Sequence, residues 1–365
     1  MMKLTLNRDA LLEALTQVTS VVSTRSTIPV LGNVLLRAAE GRLELLTTDL
    51  EVSVRTEVAA EVSRAGESTL PAKRLFSVVR ELPPHPVELE IDDKNVAAIR
   101  CGTAYFKIMG LSADDFPDVP APDGDHVYTL DQAVLKQMLK NVQYATSVDE
   151  TRYVLNGILF SFQDQKMTVV ATDGRRLAMC EREVEFPAEQ GLDMVVPSKT
   201  IHELLRNLMS EGQIRITAAG NQIVFELNAL RIISKLIDGN FPNYRQVIPA
   251  ACEERIRFER ETLLTAVRRV ALVTNEQSNS IKLGFRENFV EIISSTPEIG
   301  EAREQVPVKY TGPEMTIAYN PEFLMAPLRV LDSDEVFLEL VDELSPGVMK
   351  TDTAFLYVIM PMRMQ

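Results

Sequence analysis

Three histidines (His85, His126, His202) and three cysteines (Cys101, Cys180, Cys252) are the side chains best suited to ligate a transition metal or act as base and nucleophile in this 365-residue sequence. They are scattered and form no C-x-x-C pair, so neither a zinc site nor a disulfide framework is expected, and the thiols read as reduced and structural. The chain has no G-x-x-x-x-G-K-[ST] phosphate loop, G-x-G-x-x-G fingerprint, H-E-x-x-H or G-x-S-x-G. No catalytic residue, cofactor site or metal ligand is therefore assigned. With 52 Asp and Glu residues a two-metal nuclease stays open as an alternative. Asp49 and Asp173, however, each follow a threonine at the end of a strand-like run, where a turn role is the simpler reading.

The remaining chemistry is electrostatic. A formal net charge of -14 argues at first against a polyanionic partner. Apolar spacing predicts six helices, over 8–25, 72–82, 131–145, 198–209, 260–273 and 320–331. These segments hold 13 Lys or Arg against 7 Asp or Glu, whereas the rest of the chain holds 25 against 45. Helices are basic and everything else is acidic. If the helices share one concave side, that side attracts a polyanion while the outer surface repels it. The basic candidates are Lys73, Arg74, Arg80, Lys136, Lys140, Lys199, Arg206, Arg268 and Arg329, with Arg25 and Arg152 in loops after first helices. Aromatic residues are nearly absent from these faces, so phosphate contact with a duplex fits better than stacking on a single strand. Pro327 falls inside the sixth predicted helix, where a kink or split is expected.

These elements recur at a spacing of roughly 125 residues, which indicates three copies of one unit. A strand-like run ends in Thr47-Thr48-Asp49, in Ala171-Thr172-Asp173, and more weakly in Ser294-Ser295-Thr296. A helix then starts at Leu70-Pro71-Ala72-Lys73, Val196-Pro197-Ser198-Lys199 and Ala318-Tyr319-Asn320-Pro321. Each unit closes with Asp115-Phe116-Pro117, Asn240-Phe241-Pro242 or Ile359-Met360-Pro361. Residues 118–126 and 249–254 read as linkers, giving domains 1–122, 127–249 and 254–365. Each is an α+β unit with two helices to cover its β-sheets. No apolar run resembles a signal peptide or reaches the ~18 residues of a membrane span, so a cytoplasmic location and no membrane partner are expected.

The sequence closely resembles the bacterial DNA polymerase III beta subunits, the sliding clamps, along its whole length. The segments that carry the resemblance are IPVLGN (Ile28 to Asn33), RYVLNGILF (Arg152 to Phe160), VATDGRRLA (Val170 to Ala178), SKLIDGNFPNYRQVIP (Ser234 to Pro249), TNE (Thr274 to Glu276) and YVIMPMR (Tyr357 to Arg363). The resemblance implies three clamp domains forming half of a six-domain ring, a head-to-tail homodimer around double-stranded DNA. It implies a non-catalytic processivity factor of the replicative polymerase, with Phe106, Leu272 and Val273 at the dimer interface. It also implies a groove between the second and third domains. There replicative and repair DNA polymerases, the clamp loader complex and other clamp-motif proteins would dock on Leu155, Thr172, Gly174, Arg175, Arg176, Leu177, Pro242, Val247, Asn320, Phe323, Leu344, Val358, Met360, Pro361, Met362 and Arg363. Arg175, Phe323 and the extra terminal Gln365 depart from the family pattern and bear on partner preference. A monomeric peptide-binding adaptor without DNA is the third reading.

Overall fold

The computed structural model describes residues 1–22, 27–119, 124, 126–250, 252, 254–275, 279–297 and 299–363. The chain divides into two compact units, residues 1–133 with 199–236, and residues 134–198 with 237–365. Each contains one antiparallel sheet of eight strands and a smaller antiparallel sheet. The architecture is α+β, as expected.

In the first unit the large sheet runs in the order His126–Asp131, Gln213–Ala219, Gln222–Leu227, Leu230–Lys235, Val52–Ala59, Arg42–Thr48, Asn33–Ala39, Gly66–Pro71. Its middle joins two sequence repeats, through Arg231↔Arg55, Ile232↔Val54, Ile233↔Ser53 and Ser234↔Val52. The smaller sheet runs Glu61–Arg64, Met2–Leu6, Val87–Ile91, Val96–Cys101, Ala104–Met109.

The second unit repeats the plan. Its large sheet runs Leu192–Pro197, Gly157–Gln163, Lys166–Thr172, Arg176–Glu183, Phe355–Ile359, Gly347–Lys350, Glu335–Leu340, Glu254–Glu259. Here the second and third repeats join, through Arg176↔Ile359, Leu177↔Val358 and Ala178↔Tyr357. The four-stranded sheet runs Gly300–Pro307, Phe289–Thr296, Ile281–Arg286, Met315–Tyr319. Both joins follow one rule: the third major strand of one repeat pairs with the last strand of the next.

Among the described residues six α-helices cover the sheets: α1 (Arg8–Val18), α2 (Ala72–Glu81), α3 (Gln132–Val142), α4 (Ser198–Asn207), α5 (Arg260–Val270) and α6 (Pro321–Leu328). All six start within a residue of expectation, but every expected segment runs past the end of its helix, by one to seven residues. The segment 8–25 stops being α-helical after Val18, where a β-branched run begins and the Ser20 hydroxyl bonds back to the Gln17 carbonyl. Residues 143–145 and 271–273 tighten into 3₁₀ turns. Helix α5 shows why spacing worked at all, since Leu263, Leu264, Ala266, Val267 and Val270 are its buried face. Each large aliphatic side chain there contributes about 1.5–3 kcal/mol by leaving water.

The first helix of each repeat is tied to the end of the second by its first side chain. Arg8 donates from Nε to the Val79 carbonyl at 3.1 Å and also bonds the Arg80 carbonyl. Arg260 donates to the carbonyls of Leu328 at 2.8 Å and Ser333 at 2.9 Å. At the same place Gln132 accepts from the Met209 N–H at 3.0 Å and donates to the Gln213 carbonyl at 3.2 Å. A cation at a helix C-terminus satisfies orphan carbonyls and opposes the negative end of the dipole. The neutral Gln132 amide instead holds the chain just beyond α4, at Met209 and Gln213.

Pro327 does not split α6, which runs unbroken through it. The helix ends at Leu328, one residue later, so the missing N–H falls in its last turn. Cys101 and Cys180 are buried as expected, but Cys252 is exposed and so is not a core thiol.

Candidate functional site

The candidate groove residues begin with a tight turn at the end of Lys166–Thr172. The Asp173 carboxylate accepts from the Arg175 and Arg176 N–H groups at 2.9 and 3.0 Å. The Thr172 hydroxyl accepts from the Gly174 N–H at 3.1 Å. Gly174 sits at φ 84°, and a Cβ on it would lie 2.9 Å from the Arg152 guanidinium. The same turn recurs in the first repeat, where Asp49 accepts from Glu51 and Val52, and Leu50 takes φ 77° despite its side chain. Both aspartates are thus turn residues. Among the described residues no cluster of three His, Cys, Asp or Glu could hold a metal.

Beneath the turn lies a core of Leu159, Val170, Leu177, Val195, Tyr244 and Val358, edged by Val154, Met179, Ile237, Phe241, Ile248 and Leu356. Leu177 and Val358 are its buried floor, Thr172 is buried opposite Leu177 in the sheet, and Leu155 is buried in the turn before Gly157–Gln163. Met360 and Met362 are tied down beside this floor by their backbones. The Met360 N–H donates to the Arg175 carbonyl at 3.0 Å, and the Met362 N–H to the Ala318 carbonyl at 2.7 Å. That second bond sets Met362 next to the N-terminus of α6, which Asn320 caps through the N–H groups of Glu322 and Phe323. Met360 and Met362 stay 41% and 38% exposed, so flexible thioethers line a surface open to solvent. Pro361 is half-buried, whereas Arg363, Pro242 and Val247 are exposed. Leu344 projects from a turn capped by Asp342, 86% exposed.

The first unit contains the same backbone bond with different chemistry. There the Lys235 N–H donates to the Glu51 carbonyl at 3.0 Å. Glu51 and Lys235 stand where Arg175 and Met360 stand, Lys199 forms an ion pair with Asp49, and Ser53 replaces Leu177. Two joins share a skeleton, and only one has an apolar floor with methionine walls.

Arg176 anchors one end of the groove. Its Nε lies 3.1 Å from the Asp173 carboxylate, while its guanidinium covers the Phe323 ring at 4.4 Å and the Tyr144 ring at 5.9 Å. Tyr144 and Tyr357 pack with ring centroids 5.9 Å apart, and burial pushes both hydroxyls well above the ordinary phenol range. Beside this stack opens a cavity of about 420 Å³, lined by Thr146, Ser147, Val148, Asp149, Arg152, Asp173, Arg175, Arg176 and Phe323. Arg152, expected on the phosphate-facing stripe, lines this cavity. Sequence reading missed Tyr144 and the Thr146–Asp149 turn, whose only signal was their place just after α3.

Of the other basic candidates, Arg25 lies outside the described residues. Lys199 is held by Asp49, Arg80 by Glu81 at 3.2 Å, and Arg329 by Glu322 at 2.9 Å. Lys136 is half-buried. Among the described residues Lys73, Arg74, Lys140, Arg206 and Arg268 are exposed and make no ion pair, so they keep an uncompensated charge. Lys73 and Arg74 also line a cavity of about 500 Å³ with Ser77, Val78, Glu81 and Phe106. Phe106 is 37% exposed on the edge strand Ala104–Met109, next to Tyr105 at 58%. Leu272 is 78% exposed after α5, and Val273 is half-buried.

The chain matches family models for the N-terminal, central and C-terminal domains of the DNA polymerase III beta subunit, over residues 2–120, 129–243 and 245–363. It is 34% identical over 372 residues to the beta sliding clamp of Escherichia coli, covering 100% of both chains. To the beta sliding clamp of Chlamydia muridarum it is 33% identical, covering 100% of this chain and 99% of the other. Among solved structures, the Pseudomonas aeruginosa sliding clamp bound to griselimycin superposes with a TM-score of 0.96 at 33% identity, with both chains fully covered. The Caulobacter crescentus clamp superposes with a TM-score of 0.94 at 34% identity, again over 100% of both chains.

Proposed function

We infer that this chain, which belongs to the DNA polymerase III beta subunit family, is a DNA sliding clamp: a non-catalytic processivity factor of the replicative polymerase. The observation that carries the proposed mode of action is the rule that joins the repeats. Val52–Ala59 of the first repeat pairs with Leu230–Lys235 of the second, and Arg176–Glu183 of the second with Phe355–Ile359 of the third. Among the described residues the two equivalent strands left without a partner from another repeat are Gly300–Pro307 of the third repeat and Ala104–Met109 of the first, each at the edge of its small sheet. An unpaired edge is a template for another strand. A second copy, placed head to tail, applies the same rule twice more and closes a ring of six repeats. The exposed Leu272, with Val273, would then enter the cavity beside Phe106 on the other copy.

Lys73, Arg74, Lys140 and Arg206, with Arg25, Lys136, Arg152 and the carboxylate-paired Arg80 and Lys199, are the proposed contacts to duplex phosphates. Such contacts position the duplex and carry no sequence information. Retention comes from topology: a polymerase docked on the ring rebinds its primer end as an intramolecular event. The proposed docking site is the methionine-walled groove, for replicative and repair polymerases, the clamp loader and other proteins bearing a short apolar anchor. Opening the ring falls to an external ATP-driven loader, since this sequence has no phosphate loop. Negative-stain images of the purified protein test the assembly: closed rings are expected, and open crescents alone at micromolar concentration would count against it.

A further inference from the structure

The first helices of the three repeats align residue for residue from their starts, at Arg8, Gln132 and Arg260. Counted from there the buried positions coincide, as at Leu11, Leu135 and Leu263, and again at Val18, Val142 and Val270. One exposed position does not follow the pattern. It holds Lys140 in α3 and Arg268 in α5, both exposed, and among the described residues neither makes an ion pair. In α1 the same position holds Thr16, whose hydroxyl turns back to donate to the Leu12 carbonyl at 2.7 Å. One turn before it α1 carries Glu13, exposed and in no ion pair among the described residues, where α3 and α5 have the neutral Gln137 and Thr265. The cation of α1, Arg8, is spent on the carbonyls of Val79 and Arg80 and lies 2.8 Å from Asp9. The exposed face of α1 is therefore negative where its two counterparts are positive.

Resting on the phosphate-contact reading above, we propose that α1 is a repelling segment in the duplex-facing lining, with Thr16 as the missing cation and Glu13 as the repelling charge. The apolar positions are kept in all three helices, so the difference between them is confined to what each shows a phosphate. A threonine bonded back onto its own helix offers no charge, and the uncompensated Glu13 carboxylate raises the local cost of bringing a phosphate near. The second helix of the same repeat keeps Lys73 and Arg74, so the gap belongs to one helix and not to the whole repeat. In a ring of two copies it recurs after every third repeat, and the lining has a two-fold rather than a six-fold pattern of charge. The duplex is then gripped unevenly: α3 and α5 hold it, and each α1 marks a place where it is let go.

The test uses the full-length protein and a short fluorescein-labelled linear duplex, with anisotropy titrations at several salt concentrations. Thr16→Lys supplies the missing cation, Thr16→Gln matches its bulk without the charge, and Glu13→Gln removes the repulsion alone. Thr16→Lys is expected to bind about three- to tenfold tighter in low salt and to steepen the slope of log affinity against log salt by about one. Glu13→Gln should bind about two- to threefold tighter, an advantage that high salt screens away. Thr16→Gln should match the unaltered protein. Because Glu13→Gln breaks no contact, it keeps the test open should Thr16→Lys fail to fold. Unchanged affinity and slope in both charge variants, with Lys140→Ala weakened as expected, would overturn the proposal by showing that α1 does not face the duplex. Equal tightening by Thr16→Gln and Thr16→Lys would also overturn it, since charge would not be the cause. If Lys140→Ala itself left affinity and slope unchanged, the phosphate-contact reading would fall instead, a result distinguishable from the others.

Discussion

The Tyr357 hydroxyl donates to the Phe323 carbonyl at 2.7 Å, and Pro327 is the reason that carbonyl is free to accept. In α6 the Phe323 carbonyl would ordinarily take the N–H of residue 327, which proline lacks. Tyr357, fully buried on the neighbouring strand, fills the vacancy and fixes the backbone of the residue whose ring stacks under Arg176. Tyr357→Phe is therefore expected to destabilise the protein by about 1–3 kcal/mol, the usual cost of leaving a buried polar group unpaired. In a Pro327→Ala background, where residue 327 regains its N–H, the same change should cost clearly less. Urea unfolding of the four variants measures this coupling, and equal losses in both backgrounds would show that the two sites are independent.

The threefold repeat, the six helix starts and the turn role of Asp49 and Asp173 were legible because each rests on local signals: apolar spacing, Thr-Asp turns and proline positions. The tie between the helices of one repeat was not legible, since Arg8, Gln132 and Arg260 do one job with two chemistries. Nor was the link between Pro327 and Tyr357, because the compensating hydroxyl is 30 residues away in sequence and reaches the helix only through the sheet. Charge counting found the basic helices but could not tell free from committed groups. Lys199 and Arg329 look like Lys140 and Arg206 in sequence, yet each of the first two has a carboxylate partner.

Leu272 offers a test of the proposed head-to-tail contact that leaves the fold alone. At 78% exposure a carboxylate there meets mostly water in the single chain, so Leu272→Asp should change stability by no more than about 0.5 kcal/mol. In the dimer that carboxylate would be buried against Phe106, and the dissociation constant should rise at least about tenfold. Sedimentation equilibrium reads both species. An unaltered dimer would place the contact elsewhere.

Deleting residues 360–365 removes Met360, Pro361, Met362 and Arg363 but leaves the strand Phe355–Ile359 intact. Peptide and polymerase binding should be lost while the ring persists in the same sedimentation experiment. Undiminished polymerase binding by this truncation would count against the site assignment.

Lys140→Ala and Arg206→Ala remove two exposed charges without touching an ion pair. Each is expected to weaken binding to linear duplex equally for unrelated sequences. Each should also lower the slope of log affinity against log salt by about one. A sequence-dependent loss would indicate base reading, which the proposed contacts do not include.

The most direct test of the central claim is retention on a closed circle. After loading by a clamp loader onto a nicked circular duplex, the protein should co-elute with the DNA on gel filtration in moderate salt and be released when a restriction enzyme linearises the circle. Rapid loss from the intact circle, or equal retention after linearisation, would contradict a ring held by topology.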